Sequence, residues 1–343
     1  MASSAEPVMP GPETPVPTGQ DAPLLLRLLG SPTRRRIFYA LLASIVLFAI
    51  GQAVRPGFAS PSGIRAVLTI ASFVGLVAAG QTFVILIGGI DLSVPWVLNG
   101  ASILMVTSSL GSNARAIPAL LLTLGMGTLV GMLNGAGIVL LGVPAVVMTL
   151  AMNGIMEGLT LGFSGGMTCA ACGSYAPPVV QAAVHDSLFG IPTALLLWLV
   201  VIVLVSVVLS MTTFGRRTYA IGNSPRASFL AGVDVTTCTI GLYALSGLFS
   251  ALAGIVLVGY GGQAALGMGD PYLFQSIAAV VIGGASILGG RGNYIGSAAG
   301  AISLVTLVSV LMAMNMPEYG RSIIYGVIIL VLLLLYGRED AER

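Results

Sequence analysis

The sequence predicts an all-α polytopic membrane protein with about ten transmembrane helices. Composition is the first reason. The 343 residues are 56% hydrophobic and only 8% charged, with a mean hydropathy of +1.01. A soluble domain carries about a quarter charged residues, so this chain lacks the charge to cover a water-facing surface. The second reason is spacing: apolar runs of about 20 residues, enough to cross a bilayer as a helix, recur along the chain. The third is where the arginines fall, between those runs.

The elements follow in order. Residues 1–33 are rich in Pro, Gly, Ser and Thr and poor in large apolar side chains. Such a segment buries too little to offset its ordering entropy and reads as a disordered cytoplasmic tail. No early apolar run with a cleavage site follows its start, so it does not read as a signal peptide. Arg34, Arg35 and Arg36 then precede the first apolar run. Residues 34–338 read as one transmembrane domain. Its expected spans are 37–54, 64–89, 92–110, 116–141, 144–163, 191–211, 238–259, 274–289, 293–313 and 321–336. Several are interrupted by glycine, which favours broken or re-entrant helices. The glycines at 125, 127, 131, 135 and 137, and the pairs Gly283-Gly284 and Gly289-Gly290, stand at helix-packing spacing.

The arginines orient the spans. With the N-terminus in the cytoplasm, Arg27, Arg34, Arg35, Arg36, Arg216, Arg217, Arg226, Arg291, Arg338 and Arg343 lie inside. Arg55, Arg65, Arg115 and Arg321 lie outside. That asymmetry obeys the positive-inside rule and predicts that both termini are cytoplasmic. It places the loop 212–237 inside and the segment 164–190 outside.

The same composition excludes chemistry. The chain has no lysine, so neither a P-loop nor a Schiff base can form. One histidine, His185, makes a His-rich metal site or relay improbable. Cys169 and Cys172 have the spacing of a redox or metal pair, but Cys238 is the only other cysteine, and no second pair completes a zinc site. No catalytic residue, metal site or cofactor is expected, and nothing suggests a nucleic-acid partner. Acidic residues near the spans are few: Asp91, Glu157, Asp234, Asp270 and Glu318. Asp91, in Gly88-Gly89-Ile90-Asp91-Leu92-Ser93, reads either as the N-cap of the next helix or as an ion site. Glu157 reads as a helix-end carboxylate or as a coupling group.

The polar island Thr213–Val233 (TFGRRTYAIGNSPRASFLAGV) is the one stretch built to meet a water-soluble partner. A short helix over Pro225–Ala231 is expected, with Asn223 or Ser224 as N-cap and Pro225 at its first position. Gly232 ends it. Phe229 and Leu230 would form an apolar knob, and Arg226 a charged rim, for a groove in a partner. The other reading is a solvated loop whose arginines only fix topology.

Several segments together resemble one family, the permeases of ribose/xylose/galactose-type ABC sugar importers, within a superfamily that includes branched-chain amino acid permeases. These segments are Val84–Val94 with its Gly-Gly-Ile-Asp-Leu-Ser-Val core, Asn134-Gly135, Val143–Leu150, the loop from Phe214-Gly215-Arg216 to Gly232-Val233, and Ile277–Gly292. They run from about residue 35 to 338. The chain departs from the family pattern at Pro95, Ala145, Glu157, Leu273 and Gln275.

The resemblance implies a type II-importer-like transmembrane fold in the inner (plasma) membrane of a bacterium. Its implied partners are cytoplasmic ABC ATPase subunits, a periplasmic substrate-binding protein and a second permease copy or a paralogue, all working in a lipid bilayer. ATP hydrolysis would lie in the ATPase subunits. The implied ATPase-coupling residues are Pro225, Arg226, Phe229, Leu230 and Gly232. Candidate residues of the substrate pathway are Gln81, Asn99, Asn153 and Tyr260, polar or aromatic side chains near helix breaks. The rival reading is an ion-coupled secondary transporter that uses Asp91 or Glu157.

Overall fold

The computed structural model describes residues 32–166, 175–188 and 190–341. The expected tail up to residue 31 and the pair Cys169 and Cys172 lie outside the described residues. Helices are α1 (Pro32–Val54), α2 (Pro61–Leu86), α3 (Val94–Ser109), α4 (Asn113–Leu140), α5 (Ala145–Ser164) and α6 (Pro178–His185). A two-residue antiparallel pair follows, β1 (Ser187–Leu188) with β2 (Ile191–Pro192). Then come α7 (Thr193–Met211), α8 (Thr213–Asn223), α9 (Pro225–Leu230), α10 (Val235–Gly261), α11 (Tyr272–Ile282), α12 (Tyr294–Ala313) and α13 (Glu318–Ala341).

Among the described residues, seven helices are long and apolar enough to cross a membrane: α1 from Arg35, α2, α4, α5, α7, α10 and α12. The fold is an all-α polytopic membrane protein, and the expected count of about ten membrane helices is not confirmed among the described residues. The run 92–110 yields α3, whose 16 residues rise about 24 Å at 1.5 Å each. The run 274–289 yields α11, whose 11 residues stop at Ile282. There the chain turns through Gly284 at φ +89.

Helix α2 is the centre. Every residue from Ala71 to Leu86 is buried, and α7, α8, α10, α11 and α12 pack against it. With little hydrophobic drive between helices in lipid, close packing and interhelical hydrogen bonds hold such a bundle together. Trp198 of α7 donates to the Tyr294 hydroxyl of α12 at 3.0 Å, and that hydroxyl donates to the Gly75 carbonyl of α2 at 2.7 Å. Thr82 donates to Ser297 at 2.8 Å, joining α2 to α12. Ser303 donates to the Ala40 carbonyl at 2.6 Å, joining α12 to α1.

Helices α4 and α10 approach to backbone contact. A β-carbon on Gly247 would sit 2.0 Å from the Gly127 carbonyl oxygen, and one on Gly131 would sit 2.1 Å from the Tyr243 carbonyl oxygen. The glycine spacing in the sequence is therefore a backbone-to-backbone contact, as expected.

The bundle has two distinct ends. At one, Arg36 near the start of α1 donates to the Gly284 carbonyl at 3.0 Å, so the α1 start and the α11 stop share a face. The end of α2 and helix α8 join them there, because the Gly290 N–H donates to Leu86 O and the Tyr219 hydroxyl to Gly292 O, both at 2.8 Å. At the other end lie the last residues of α10, helix α6 and the starts of α11 and α13.

Gly131→Val is expected to force α4 and α10 apart and cost about 1–3 kcal/mol, the usual penalty of overpacking. Thermal unfolding of the detergent-purified protein measures it, and Gly125→Val, at a position facing open space, is expected to leave the transition in place.

Candidate functional site

The island is two helices, each capped by its own sequence. Thr212 accepts the Gly215 N–H at 3.1 Å and starts α8. Ser224 accepts the Ala227 N–H at 3.2 Å and starts α9, with Pro225 at the first helical position. Of the two expected caps, Ser224 is therefore the one used. Asn223 instead donates back to the Tyr219 carbonyl at 2.8 Å. At the far end, the Gly232 N–H reaches Phe229 O and the Val233 N–H reaches Ser228 O, both at 3.0 Å. With Gly232 at φ +80, this pair of bonds is a Schellman cap.

Helix α9 thus has fixed ends and an apolar tip. Phe229 is 71% exposed and Leu230 84% exposed, and Arg226 is exposed beside them. Asp234 then caps α10 by accepting the Thr237 N–H at 2.9 Å. Hydrogen bonds from Thr237, helped by the Arg217 charge, hold the Asp234 carboxyl below its ordinary value.

Helix α8 rests on two broken helices. The chain leaves α2 at Leu86 and enters α3 at Val94, and it leaves α11 at Ile282 and enters α12 at Tyr294. Besides the Leu86–Gly290 bond, the second break closes on itself through the Ser286 N–H to Arg291 O, 2.9 Å. Gly222 of α8 is pressed into this junction: a β-carbon there would lie 1.9 Å from Leu86 O and 2.5 Å from Gly290 N.

Asp91 lies inside the first break and is 1% exposed. One carboxylate oxygen accepts the Ser93 N–H at 3.0 Å and the Ser93 hydroxyl at 2.6 Å. The other accepts the Ser246 hydroxyl of α10 at 2.7 Å. Asn134 of α4 donates to Ser93 Oγ at 2.9 Å. The N-cap reading of Asp91 is therefore corrected. Ser93 holds the N-cap position of α3 and makes no side-chain cap bond, while Asp91 braces the break against α10 and, through Ser93, against α4. The sequence placed Asp91 at a helix start. It carried no sign that Ser246 and Asn134, 155 and 43 residues away, complete the network.

The four candidate pathway residues do not gather into one cluster. Gln81 is wholly buried on α2, with neither amide atom partnered among the described residues. Asn99 on α3, in its hydrogen-bonded orientation, donates to Ala265 O at 2.9 Å and accepts from Gly267 N at 3.0 Å, holding the loop after α10. Asn153 on α5 is half-buried with an unpartnered carbonyl oxygen. Tyr260, at the end of α10, stacks on His185 with ring centroids 5.0 Å apart. The His185 ring donates from Nε2 to the Tyr260 carbonyl at 2.6 Å. Among the described residues no group of three His, Cys, Asp or Glu side chains has the arrangement of a metal site.

Residues 63–332 match the family described as the permease component of the branched-chain amino acid transport system. The chain belongs to this family. The permease is also similar to the ribose import permease protein of Bacillus subtilis, at 34% identity over 300 residues covering 88% of this chain and 92% of that one. It resembles the autoinducer 2 import system permease protein of Photorhabdus laumondii at 34% over 265 residues, covering 75% and 78%. It resembles the fructose import permease protein of Rhizobium meliloti at 33% over 290 residues, covering 83% and 80%.

The permease is thus a multi-pass transport component and not an enzyme. The ion-coupled reading finds no support in this kinship. Nor does the geometry at Asp91, whose two oxygens are both occupied by serine donors of the fold.

Ser246→Ala is expected to strand one Asp91 oxygen and destabilise the permease by about 1–3 kcal/mol, the cost of an unmade buried hydrogen bond, as read by thermal unfolding. A second test concerns pH. Because the folded pKa of Asp234 is depressed, its contribution to the start of α10 is present above the ordinary carboxylate range and lost as pH falls. The Thr237 amide resonance is expected to titrate with a midpoint below 3.8, and not to titrate in Asp234→Asn.

Proposed function

We propose that this permease is the membrane subunit of an ATP-driven ABC importer. It carries a sugar or similar small polar solute that a periplasmic binding protein delivers. Cytoplasmic ATPase subunits bind and hydrolyse ATP, and a second copy of the permease or a paralogue completes the path. Both termini and the α8–α9 island face the cytoplasm of a bacterium whose inner membrane holds the chain.

The observation that carries this reading is helix α9. It presents Phe229 and Leu230 to water, capped at both ends, on a chain that lacks the lysine for its own nucleotide site. An exposed apolar tip on a rigid short helix suits a groove in a partner. The arrangement behind it suits transmission. Movement of α8 bears on Leu86 O and Gly290 N, and so on both helix breaks at once. Pro225 and Gly232 set the shape of the knob, and Arg226 supplies a charged rim. The import permeases that the chain resembles support a sugar as cargo.

The test is uptake and assembly. Replacing Phe229 and Leu230 together by Ala is expected to weaken co-purification of the cognate ATPase by about tenfold or more, the effect of losing interface anchors, and to abolish uptake while membrane insertion persists. Normal assembly and uptake by this variant would remove the island's role. Uptake that survives ATP depletion and follows a proton gradient would overturn the ATP-driven reading.

A further inference from the structure

At the end of the bundle opposite the island, a cleft of about 630 Å³ opens between α2, α10, α11, α12 and α13. Its lining includes the apolar side chains of Ile70, Leu257 and Val308. Its walls are aromatic, with Phe73, Tyr260 and Tyr272, and its rim carries Asp270, Glu318 and Arg321. The volume falls in the range of small-molecule sites, about 300–1,000 Å³.

The polar groups are placed as a ligand would need them. Gln275 uses its amide nitrogen to donate to the Tyr325 hydroxyl at 3.2 Å, which leaves its carbonyl oxygen, and the Tyr325 hydrogen, for another molecule. Arg321 Nε is buried without a partner among the described residues, and a buried donor left unpaired is costly. Asp270 rises above its ordinary value, chiefly through burial and also through the Glu157 charge. Stacking on His185 and an edge contact with Phe73, at 5.2 Å between centroids, lock the Tyr260 ring.

We propose that this cleft is a subsite for a neutral polyhydroxylated solute of the monosaccharide class, an inference that rests on the importer reading above. Aromatic faces take the C–H faces of such a solute. The Gln275 carbonyl and the two rim carboxylates accept from its hydroxyls, while Tyr325 and Arg321 Nε donate to them. The rim holds both signs of charge, which suits hydroxyl recognition better than capture of an anion. An amino acid would need a partner for its carboxylate and its ammonium together, and the described lining holds one cation, Arg321, against two carboxylates, Asp270 and Glu318. Of the sequence candidates for the pathway, Tyr260 alone lines this cleft.

The experiment uses the full-length permease in lipid nanodiscs, probed by saturation-transfer NMR with D-ribose, D-fructose and L-leucine. Transfer to a sugar is expected. Gln275→Leu and Arg321→Gln should each weaken it about tenfold, the worth of one hydrogen bond in a dry site, with unchanged unfolding temperatures. Phe163→Ala, on the exposed face of α5, should leave it unchanged. Transfer to leucine alone, equal transfer in the cleft variants, or no transfer to either sugar overturns the subsite. So does phospholipid that co-purifies with the wild type and is lost in Arg321→Gln by native mass spectrometry, which would make the cleft a lipid crevice.

ATP-driven uptake of the same sugars separates the two readings. Uptake with unaltered KM in the cleft variants sinks the subsite and spares the importer. Sugar binding without any ATP-driven uptake does the reverse.

Discussion

A helix that stops inside a membrane leaves carbonyls and N–H groups with no water to meet, and each orphan costs several kcal/mol. Much of this structure is organised around that constraint. The chain breaks after α2 at Leu86 and after α11 at Ile282, and packed neighbours meet part of each break's need: Gly290 N–H of the second break serves Leu86 O, and Tyr219 of α8 serves Gly292 O. Asp91 supplies the remaining acceptors at the first break and finds its donors in Ser93 and Ser246. The buried polar residues that look anomalous in an apolar chain are the partners that let its helices end early.

The glycines serve the same architecture in a second way. Gly127, Gly131 and Gly247 bring α4 and α10 to backbone contact, which carries Asn134 and Ser246 to the break from opposite sides. Gly222 does this for α8. Without a side chain it settles against Leu86 O and Gly290 N, so the water-facing island and the buried breaks form one mechanical unit. A larger residue at 222 would separate them.

Much of this was legible in the sequence, for identifiable reasons. Composition and hydropathy report burial in lipid, so the membrane class and the long spans were readable. Caps are local, so the shape of α9, from Ser224 to Gly232, could be written down residue by residue. The expected span 274–289 ran past the end of α11 at Ile282, because hydropathy measures apolarity and not hydrogen-bond continuity. The role of Asp91 was missed because its partners come from distant helices. The pathway candidates were chosen for polarity near breaks, a criterion that also selects residues that hold loops, as Asn99 does. The cleft residues Asp270, Gln275 and Arg321 carry no motif, and only the convergence of five helices brings them together.

The caps of α9 have a thermodynamic consequence for any molecule that docks on it. Six residues are far too few to hold a helix in water by themselves, and a loose loop would have to be ordered at the moment of association, at about 1–2 kcal/mol per residue. Here Ser224, Pro225 and the Gly232 turn have already met that cost during folding. Any molecule that docks there meets a surface that is already rigid, and repeated engagement leaves the local fold unchanged from one encounter to the next.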